Sequence, residues 1–305
     1  MLKNIRYYSV GGITLEVRSD LPVTDRTFAP ALRLFEVARP GRDRVRVRLH
    51  FSLPLPKDVS RGTEVYRKPP WSIVKTRKDW VYQGISKIGL KQSHLIAWFN
   101  ASHTQGDIYV PSDAVFRAGG LGALTLFPTD QILLARLLAA RGGALLHSAG
   151  VVMRRKGLLF LGHSSAGKST MCGMLAPHAE VLCDDRNIVR AEGRRFRLYG
   201  TWSHGTFPRV SAAHAPLNAL FFLRQSRRNR ATRIPDRAQV LKRLLPLVVK
   251  PLATADWWER TLDALQSLAA RIPAYELEFD ESGKIVKTLD TMVSGGKSAR
   301  KAGVR

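Results

Sequence analysis

The sequence predicts an α/β fold with a mixed β-sheet, preceded by a smaller β-rich domain. The first observation is a phosphate-binding motif, Gly162–Thr170, between a short apolar run and a helical segment. The second is that residues 144–280 alternate between strand and helix patterns, and the third is that residues before about 125 read mostly as strands. The expected bounds are 1–127 for the β-rich domain, 128–290 for the nucleotide-binding α/β domain and 291–305 for a basic, disordered tail.

Strand signals dominate the first domain. Apolar and polar residues alternate over Val45–Phe51, as in a half-buried strand, and Leu95–Asn100 and Asp107–Val110 flank a polar stretch that suits a hairpin. The segment Pro54–Lys78 is rich in proline and charge, which predicts a long surface loop. A helix is expected from Asp130 to Arg141, before the second domain begins its alternating pattern.

The phosphate-binding motif fits the pattern G-x-x-x-x-G-K-[ST]. The run Leu158–Leu161 predicts a buried strand leading in, and Ser169–Ala176 a helix leading out, stopped by Pro177. Backbone N–H groups of such a loop bind polyphosphate, Lys168 would reach the β- and γ-phosphates, and the Ser169 hydroxyl would help to hold Mg²⁺. The residues expected to bind ATP are Gly162, His163, Ser164, Ser165, Ala166, Gly167, Lys168, Ser169 and Thr170.

A β-hairpin is predicted to feed directly into this motif. The strand Leu145–Met153 is followed by a polar turn, and pairing Arg154 with Gly157 places His147 opposite Ser164. We therefore expect His147 beside the phosphates, and the antiparallel hairpin indicates a mixed sheet rather than an all-parallel one.

Two carboxylates follow the next apolar strand. Val181–Cys183 is followed by Asp184 and Asp185, one helix after the phosphate-binding motif. If this strand runs parallel to the strand before the motif, both carboxylates lie at the edge where the loop sits. One can hold Mg²⁺ and the other can accept a proton from an attacking hydroxyl, while a plain turn after a strand is the alternative.

Together, His147, the motif Gly162–Thr170 and the run Asp184–Arg186 resemble the catalytic domain of HPr kinase/phosphorylase, a serine kinase related in fold to phosphoenolpyruvate carboxykinase. The resemblance covers about 144–190 and extends more weakly to about 280. It implies a histidine that contacts phosphate at His147, a loop that binds ATP, a catalytic acid/base at Asp184 and a carboxylate assisting Mg²⁺ at Asp185.

The chain departs from that family at two places. Thr170 stands where those kinases carry Glu, and Tyr199–Thr206 replaces the Gly-rich segment that they use near HPr. This segment resembles the YGT-x-x-HG element of HPr-kinase-like proteins encoded near peptide-modification genes, including lasso-peptide tailoring kinases. The resemblance implies an acceptor other than HPr. Trp202 and His204 are predicted to lie in the acceptor site, with a surface loop anchored by the tryptophan as the alternative.

These observations favour an ATP- and Mg²⁺-dependent kinase acting on a hydroxyl, with a serine of a peptide or protein as acceptor. In that reading Asp184, His147 and Lys168 are catalytic, and Ser169 and Asp185 hold the metal. A regulatory or chaperone module that binds ATP without transfer is the first alternative, and a carboxykinase-like enzyme acting on a small acid is the second. The presence of both carboxylates and the histidine favours the kinase.

Composition limits the partners. With 49 Lys and Arg against 24 Asp and Glu, the formal net charge is +25, which suits either a polyanionic partner or an Arg-rich chain with a nucleotide site. No nucleic-acid-binding module is recognisable, so nucleic acid is not expected, and a homo-oligomer is compatible with the sequence. Cys172 and Cys183 are expected in a reduced core. Charges interrupt the apolar zone Leu121–Val152 and no signal-peptide core begins the chain, so we expect a cytoplasmic protein without a membrane span.

Overall fold

The computed structural model describes residues 4–54, 62–85, 95–127, 130–252 and 254–294. The chain forms two compact units: Met1–Leu137 with Lys250–Trp258, and Leu138–Val249 with Glu259–Arg305. The first unit therefore extends past the expected boundary at residue 127 and includes a segment from late in the chain.

Hydrogen bonds within the first unit explain why this segment from late in the chain belongs to it. The Arg136 guanidinium, which is 6% exposed, donates to the Thr254 hydroxyl at 2.8 Å and to the Leu252 carbonyl at 3.3 Å. The Trp257 indole N–H donates to the Ala135 carbonyl at 3.0 Å. Buried polar groups must find partners, and these partners come from residues far apart in sequence.

A nine-stranded mixed sheet forms the first unit, within the described residues. Its strands are β1 Ile5–Val10, β2 Ile13–Ser19, β3 Glu36–Val37, β4 Arg44–His50, β5 Thr63–Lys68, β6 Trp71–Lys75, β7 Asp79–Gly84, β8 Ile96–Asn100 and β9 Gln105–Tyr109. Its helices are α1 Pro30–Arg33, α2 Ala114–Ala118 and α3 Asp130–Ala139, the last of which continues into the second unit. The strand order is β3-β1-β2-β4-β9-β8-β7-β6-β5.

Of three predictions for this unit, two are confirmed and one is wrong. The hairpin of β8 and β9 is confirmed, and β4 alternates buried and exposed residues as predicted. The prediction of a long loop over Pro54–Lys78 is wrong for residues 62–78, because β5 and β6 form an antiparallel pair there, and its residues 55–61 lie outside the described residues. Trp71, Ser72 and Ile73 are all buried on β6, so this part of the charged segment packs as a strand of the sheet.

An eight-stranded mixed sheet forms the second unit, again counting described residues. Its strands are β10 Gly143–Met153, β11 Lys156–Leu161, β12 Glu180–Cys183, β13 Arg186–Glu192, β14 Arg195–Tyr199, β15 His214–Gln225, β16 Arg230–Ile234 and β17 Ala274–Phe279. Its helices are α4 Lys168–Leu175, α5 Arg237–Leu244, a 3₁₀ turn Leu245–Leu247, α6 Ala255–Arg271 and α7 Lys284–Ser294. The first residues of α6 belong to the other unit. The main strand order is β11-β10-β13-β14-β15-β17-β16, with β12 also paired to β10 and β15 to β11.

The hairpin of β10 and β11 forms as predicted, but its register differs by two residues. Met153 pairs with Lys156, so Arg154 and Arg155 form the turn, both with positive φ values of 49° and 64°. Such a two-residue turn matches the twist of the strands, although arginine is an uncommon residue for it. The expected pairing of Arg154 with Gly157 is therefore wrong, and His147 lies opposite Arg186 of β13 rather than opposite Ser164.

Strand β10 lies between β11, which leads into the glycine-rich motif, and β12, which leads to the two carboxylates. β11 and β12 both run antiparallel to β10, with Ser148 paired to Leu161 and Gly150 to Cys183. β11 and β12 are therefore parallel to each other, as predicted, with β10 between them. The chain leaves β12 at Asp184 and re-enters the sheet at Arg186, so both carboxylates lie at the level where β11 ends.

Apolar side chains from the sheet, α4 and α7 build the core of this unit. Phe160, Phe221 and Phe279 are at most 2% exposed and belong to one cluster with Cys172 of α4 and Leu289 of α7. Both cysteines are free, and burial raises the pKa of the Cys172 and Cys183 thiols above the ordinary range. No helix in the described part of the chain is long and apolar enough to cross a membrane.

The predicted disordered tail begins too early. Residues 291–294 belong to α7, because Ile285, Leu289 and Val293 recur every four residues and are all buried. The rest of that prediction, over 295–305, lies outside the described residues.

Candidate active site

The glycine-rich loop, defined as Gly162–Thr170, joins β11 to α4. Gly167 immediately precedes α4 and has a φ of +92°, and a Cβ at this position would lie 2.6 Å from the Phe279 ring. Ser165 also has a positive φ, of +65°. This backbone folds over the N-terminus of a helix, where successive N–H groups form a cradle for an anion. Only glycine fits at position 167, for conformational and steric reasons together.

Two side chains brace the loop. The Gln225 amide N–H donates to the Ser165 carbonyl at 2.9 Å. The Lys168 ammonium donates to the carbonyls of Gly162 and His163 at 2.9 and 2.8 Å, so its charged tip lies over the first residues of the loop. Burial lowers the pKa of Lys168, and the charges of Asp185 and Asp184 oppose that shift without cancelling it.

Asp184 is buried at 2% exposure and accepts three hydrogen bonds. The Ser169 hydroxyl donates to Oδ2 at 2.5 Å, the Gly205 N–H to Oδ1 at 2.6 Å and the Phe207 N–H to Oδ2 at 2.8 Å. Hydrogen bonds of this kind compensate a carboxylate for the loss of water. Asp184 is therefore fixed in place and tied directly to the loop.

Asp185 is more open, with 23% of its side chain exposed, and polar groups surround it. The Ser203 hydroxyl donates to Oδ2 at 2.9 Å, the Arg186 guanidinium lies 3.1 Å from the same oxygen, and His147 Nδ1 lies 3.6 Å from Oδ1. Burial would raise the pKa of Asp185, but His147, Arg186 and Ser203 together lower it below its ordinary value. The carboxylate is therefore ionised at neutral pH and has a defined orientation.

The segment after β14 covers both carboxylates. Ser203, Gly205 and Phe207 supply three of the contacts just described, and a Cβ at Gly205 would lie only 3.1 Å from Asp184 Oδ2. In this segment Trp202 is half-buried, while His204 is exposed with its Nδ1 3.1 Å from the Gly205 carbonyl. The chain thus returns to the carboxylates as predicted, whereas an acceptor role for Trp202 and His204 stays a prediction.

A pocket of about 320 Å³ brings the loop and the carboxylates together. Its lining residues are Ser164, Ser165, Gly167, Lys168, Ser169, Thr170, Asp184, Asp185, Gly205, Thr206 and Gln225. Three expected ATP-binding residues, Gly162, His163 and Ala166, line a neighbouring cavity instead. His147 is not among the described lining residues of this pocket but contacts Asp185, which is.

The oxygen donors of this pocket suit Mg²⁺. The Ser169 hydroxyl and the carboxylates of Asp184 and Asp185 are hard oxygen ligands, which Mg²⁺ prefers. No cluster of three or more His, Cys, Asp or Glu within the described ranges forms a metal cage. Mg²⁺ usually binds through one or two carboxylates plus substrate phosphates, so this set fits a metal that arrives with a nucleotide.

Several residues of the site were not predicted from sequence. Gly205 and Phe207 contact Asp184 through backbone N–H groups, which leave no side-chain signature. Gln225 lies outside any motif, and Ser203 was not singled out within the predicted acceptor segment Tyr199–Thr206. Arg186 directly follows the carboxylate pair, and Ser203 and Gly205 lie in the predicted acceptor segment, so their positions in the sequence did point toward the site.

The fold and the site define a mixed α/β protein whose second unit holds a glycine-rich loop facing two carboxylates. The family model for the SynChlorMet cassette protein ScmC matches residues 129–294, more than half of the chain. The chain belongs to the ScmC family.

Other comparisons add little. A search of curated proteins gave no match. Among solved structures, the chain is similar to the Hpr(Ser) kinase/phosphatase from Coxiella burnetii, at 11% identity over 50% of this chain and 88% of that chain. The TM-score is 0.31, which is too low to support a conclusion about fold or activity.

Proposed function

We propose that the second unit is a Mg²⁺- and ATP-dependent kinase that transfers the γ-phosphoryl group to a serine hydroxyl of a peptide or protein. One observation carries the proposal: the glycine-rich loop shares a pocket with two carboxylates of different environment. A phosphate cradle alone fits any nucleotide-binding protein. A second, oriented carboxylate facing the same pocket is what a transfer reaction needs in addition.

The loop and Lys168 supply the phosphate site. Backbone N–H groups at the start of α4 and the positive end of its dipole attract the phosphate chain. The Lys168 ammonium now bonds to two carbonyls of the loop and can turn from them to the β- and γ-phosphates. Because Lys168 is half-buried, its attraction for a phosphate is stronger than that of an exposed lysine.

In this proposal Ser169 and Asp184 bind the metal ion, and Asp185 is the general base. This division reverses the roles that the family resemblance implies for the two aspartates. It is supported by the bond from Ser169 to Asp184, which is how a buried carboxylate orients a metal-binding hydroxyl, and by the greater exposure of Asp185. Mg²⁺, when bound, would neutralise charge on the β- and γ-phosphate oxygens.

Asp185 has the geometry of an oriented proton acceptor. Ser203 and Arg186 hold Oδ2, which leaves Oδ1 toward His147. In the proposed step the acceptor oxygen forms a bond to the γ-phosphorus while the bond to the β–γ bridging oxygen breaks. The acceptor proton passes to the Asp185 carboxylate and ADP leaves. The lowered pKa makes the Asp185 carboxylate a weak base. A weak base is sufficient because the transition state of phosphoryl transfer is loose, so the acceptor hydroxyl needs little deprotonation before the new bond forms.

Isotope transfer tests the proposal. The full chain would be incubated with Mg²⁺, ATP labelled at the γ-phosphate and a peptide library with a fixed central serine. We expect label on serine with the parent protein, none with Lys168→Ala and none when alanine replaces the central serine. Unlabelled serine peptides throughout, despite measurable Mg·ATP binding, would favour an ATP-binding module without transfer.

A further inference from the structure

A second cavity borders the beginning of the glycine-rich loop. This cavity, the α5 groove, has a volume of about 570 Å³ and lies between Gly162, His163 and Ala166 of the loop and helix α5 with its 3₁₀ extension. Its apolar surface is formed by Leu161, Phe222, Leu223, Pro246 and Leu247. It shares no lining residue with the pocket that holds the carboxylates.

The charged residues of the α5 groove are all basic. Lys242 and Arg243 line it, and none of its described lining residues is acidic. Arg243 pairs with Glu276 at 3.0 Å, but Arg224 lies 3.1 Å from the same carboxylate, so one negative charge serves two arginines. Lys242 is exposed and has no ion-pair partner among the residues described.

Further basic residues flank the groove in sequence. Arg227 and Arg228 follow Gln225, which braces the loop, and Arg237 begins α5; all three are exposed. Within the described chain none of them has an ion-pair partner. The two ionised side chains among the described residues that line the groove, Lys242 and Arg243, are nevertheless the ones that a ligand would meet, and their positive charge favours an acidic ligand.

The position of the Lys168 ammonium bears on whether the groove binds the nucleotide or the acceptor. The ammonium lies at the carbonyls of Gly162 and His163, which also line the groove, and a turn of the side chain from there to the β- and γ-phosphates of a bound phosphate chain would put the γ-phosphate on the groove side of the loop. The nucleoside must lie at the opposite end of that chain. A ligand in the groove would therefore approach the γ-phosphate as an acceptor does.

We propose that the α5 groove docks the acceptor polypeptide, with Lys242 binding an acidic side chain a few residues from the acceptor serine and the apolar surface covering an adjacent apolar side chain. This inference rests on the proposed kinase function. An extended peptide advances about 3.3 Å per residue, so one bound segment can occupy both the groove and the neighbouring phosphate pocket. Binding along such a groove gives specificity without any change in the reacting groups.

The test compares two charge reversals in the full chain. Lys242→Glu removes the proposed contact, and Arg155→Glu is the matched control, since exposed Arg155 lies in the turn before β11, about 20 Å of strand from the loop. Transfer to serine peptides would be measured with glutamate, alanine or lysine placed at each flanking position. Lys242→Gln removes the charge without reversing it, and the thermal unfolding midpoint of each variant checks that folding is intact. The Mg·ATP dissociation constant of each variant is measured separately.

We expect the parent and Arg155→Glu to favour a flanking glutamate over lysine by about fivefold or more, the scale of one exposed ion pair. Lys242→Glu should lose or invert this preference at unchanged Mg·ATP affinity, with Lys242→Gln intermediate. Transfer without acidic preference, or a preference kept by Lys242→Glu, would overturn the docking proposal while the kinase stands. Weakened Mg·ATP binding in Lys242→Glu would assign the groove to the nucleotide instead. Absence of any transfer by the parent would contradict both proposals.

Discussion

The Ser169 hydroxyl donates a hydrogen bond to Asp184 Oδ2 at 2.5 Å and so connects the glycine-rich loop with the carboxylate that follows β12. Since the hydroxyl hydrogen points to Asp184, the oxygen lone pairs of Ser169 are free for another ligand. Two backbone N–H groups hold the same carboxylate from the other side. The loop and Asp184 are thus directly coupled, so a substitution at Ser169 should alter the position of Asp184 and the reverse.

Removal of either partner in this bond should weaken metal-dependent nucleotide binding. We expect Ser169→Ala and Asp184→Asn each to raise the Mg²⁺ concentration needed for ATP binding by about ten- to a hundredfold, because the first removes the hydroxyl and the second removes the charged acceptor that orients it. The double variant should cost less than the sum of the two, with a coupling of about 1.5–3 kcal/mol for a hydrogen bond to a charged group. Titration of ATP affinity against Mg²⁺ measures this, and strict additivity would show that the bond has no role.

Two glycines close together in sequence should respond to alanine in opposite ways. Gly167→Ala places a Cβ 2.6 Å from Phe279 at a φ of +92°, so we expect it to destabilise the loop and to reduce ATP affinity at least tenfold. Gly173 lies inside α4 with open space around it, so Gly173→Ala should raise the free energy of unfolding by about 0.4–1 kcal/mol and leave ATP affinity unchanged. Denaturant unfolding and calorimetric titration would show both effects. Parental ATP affinity in Gly167→Ala would argue against the loop as the phosphate site.

The pH dependence of ATP affinity should report on Lys168. Burial depresses its pKa, so the ammonium loses its proton at a lower pH than an ordinary lysine, for which the pKa is about 10.4. Polyphosphate binds the charged form, and affinity should therefore be constant near neutral pH and fall as pH rises through this depressed pKa. Dissociation constants measured from about pH 7 to about pH 10 test the sign. Lys168→Arg keeps its charge throughout, and the same fall in that variant would assign the titration to another group.

Trp202 and His204 lie in the segment that covers the carboxylates, and we predict that they contact the acceptor. Trp202→Ala or His204→Ala should then raise the KM for a serine peptide several-fold while the Mg·ATP dissociation constant stays at its parental value. His204 is the sharper test because it is exposed and its side chain bonds only to the neighbouring Gly205 carbonyl among described residues. Unchanged peptide kinetics in both variants would return the segment to a covering role.

The nine-residue glycine-rich loop could be predicted from the sequence, whereas fewer of the contacts between residues distant in sequence could be. The loop could be located because its phosphate-binding residues, the strand before them and the helix after them are contiguous in sequence. The carboxylates could be located because they directly follow an apolar strand. The hairpin register could not, since two arginines with positive φ occupy a turn that usually favours glycine or asparagine. The α5 groove and the individual backbone bonds to Asp184 depend on residues that only the fold brings together, although the segment that contains Gly205 was predicted to return to the carboxylates.

The single-turnover rate of phosphoryl transfer in Asp185→Asn, compared with Asp184→Asn, tests the central claim most directly. Transfer from saturating Mg·ATP to a serine peptide would be followed after rapid mixing, with Mg·ATP affinity measured separately. We expect Asp185→Asn to slow transfer by about 10²–10⁴-fold at parental Mg·ATP affinity, the usual contribution of a positioned base. Asp184→Asn should instead show its main loss in the Mg²⁺ requirement. Parental transfer rates in both variants would contradict a reaction at this carboxylate pair, and the opposite pattern would restore the roles that the family resemblance implies.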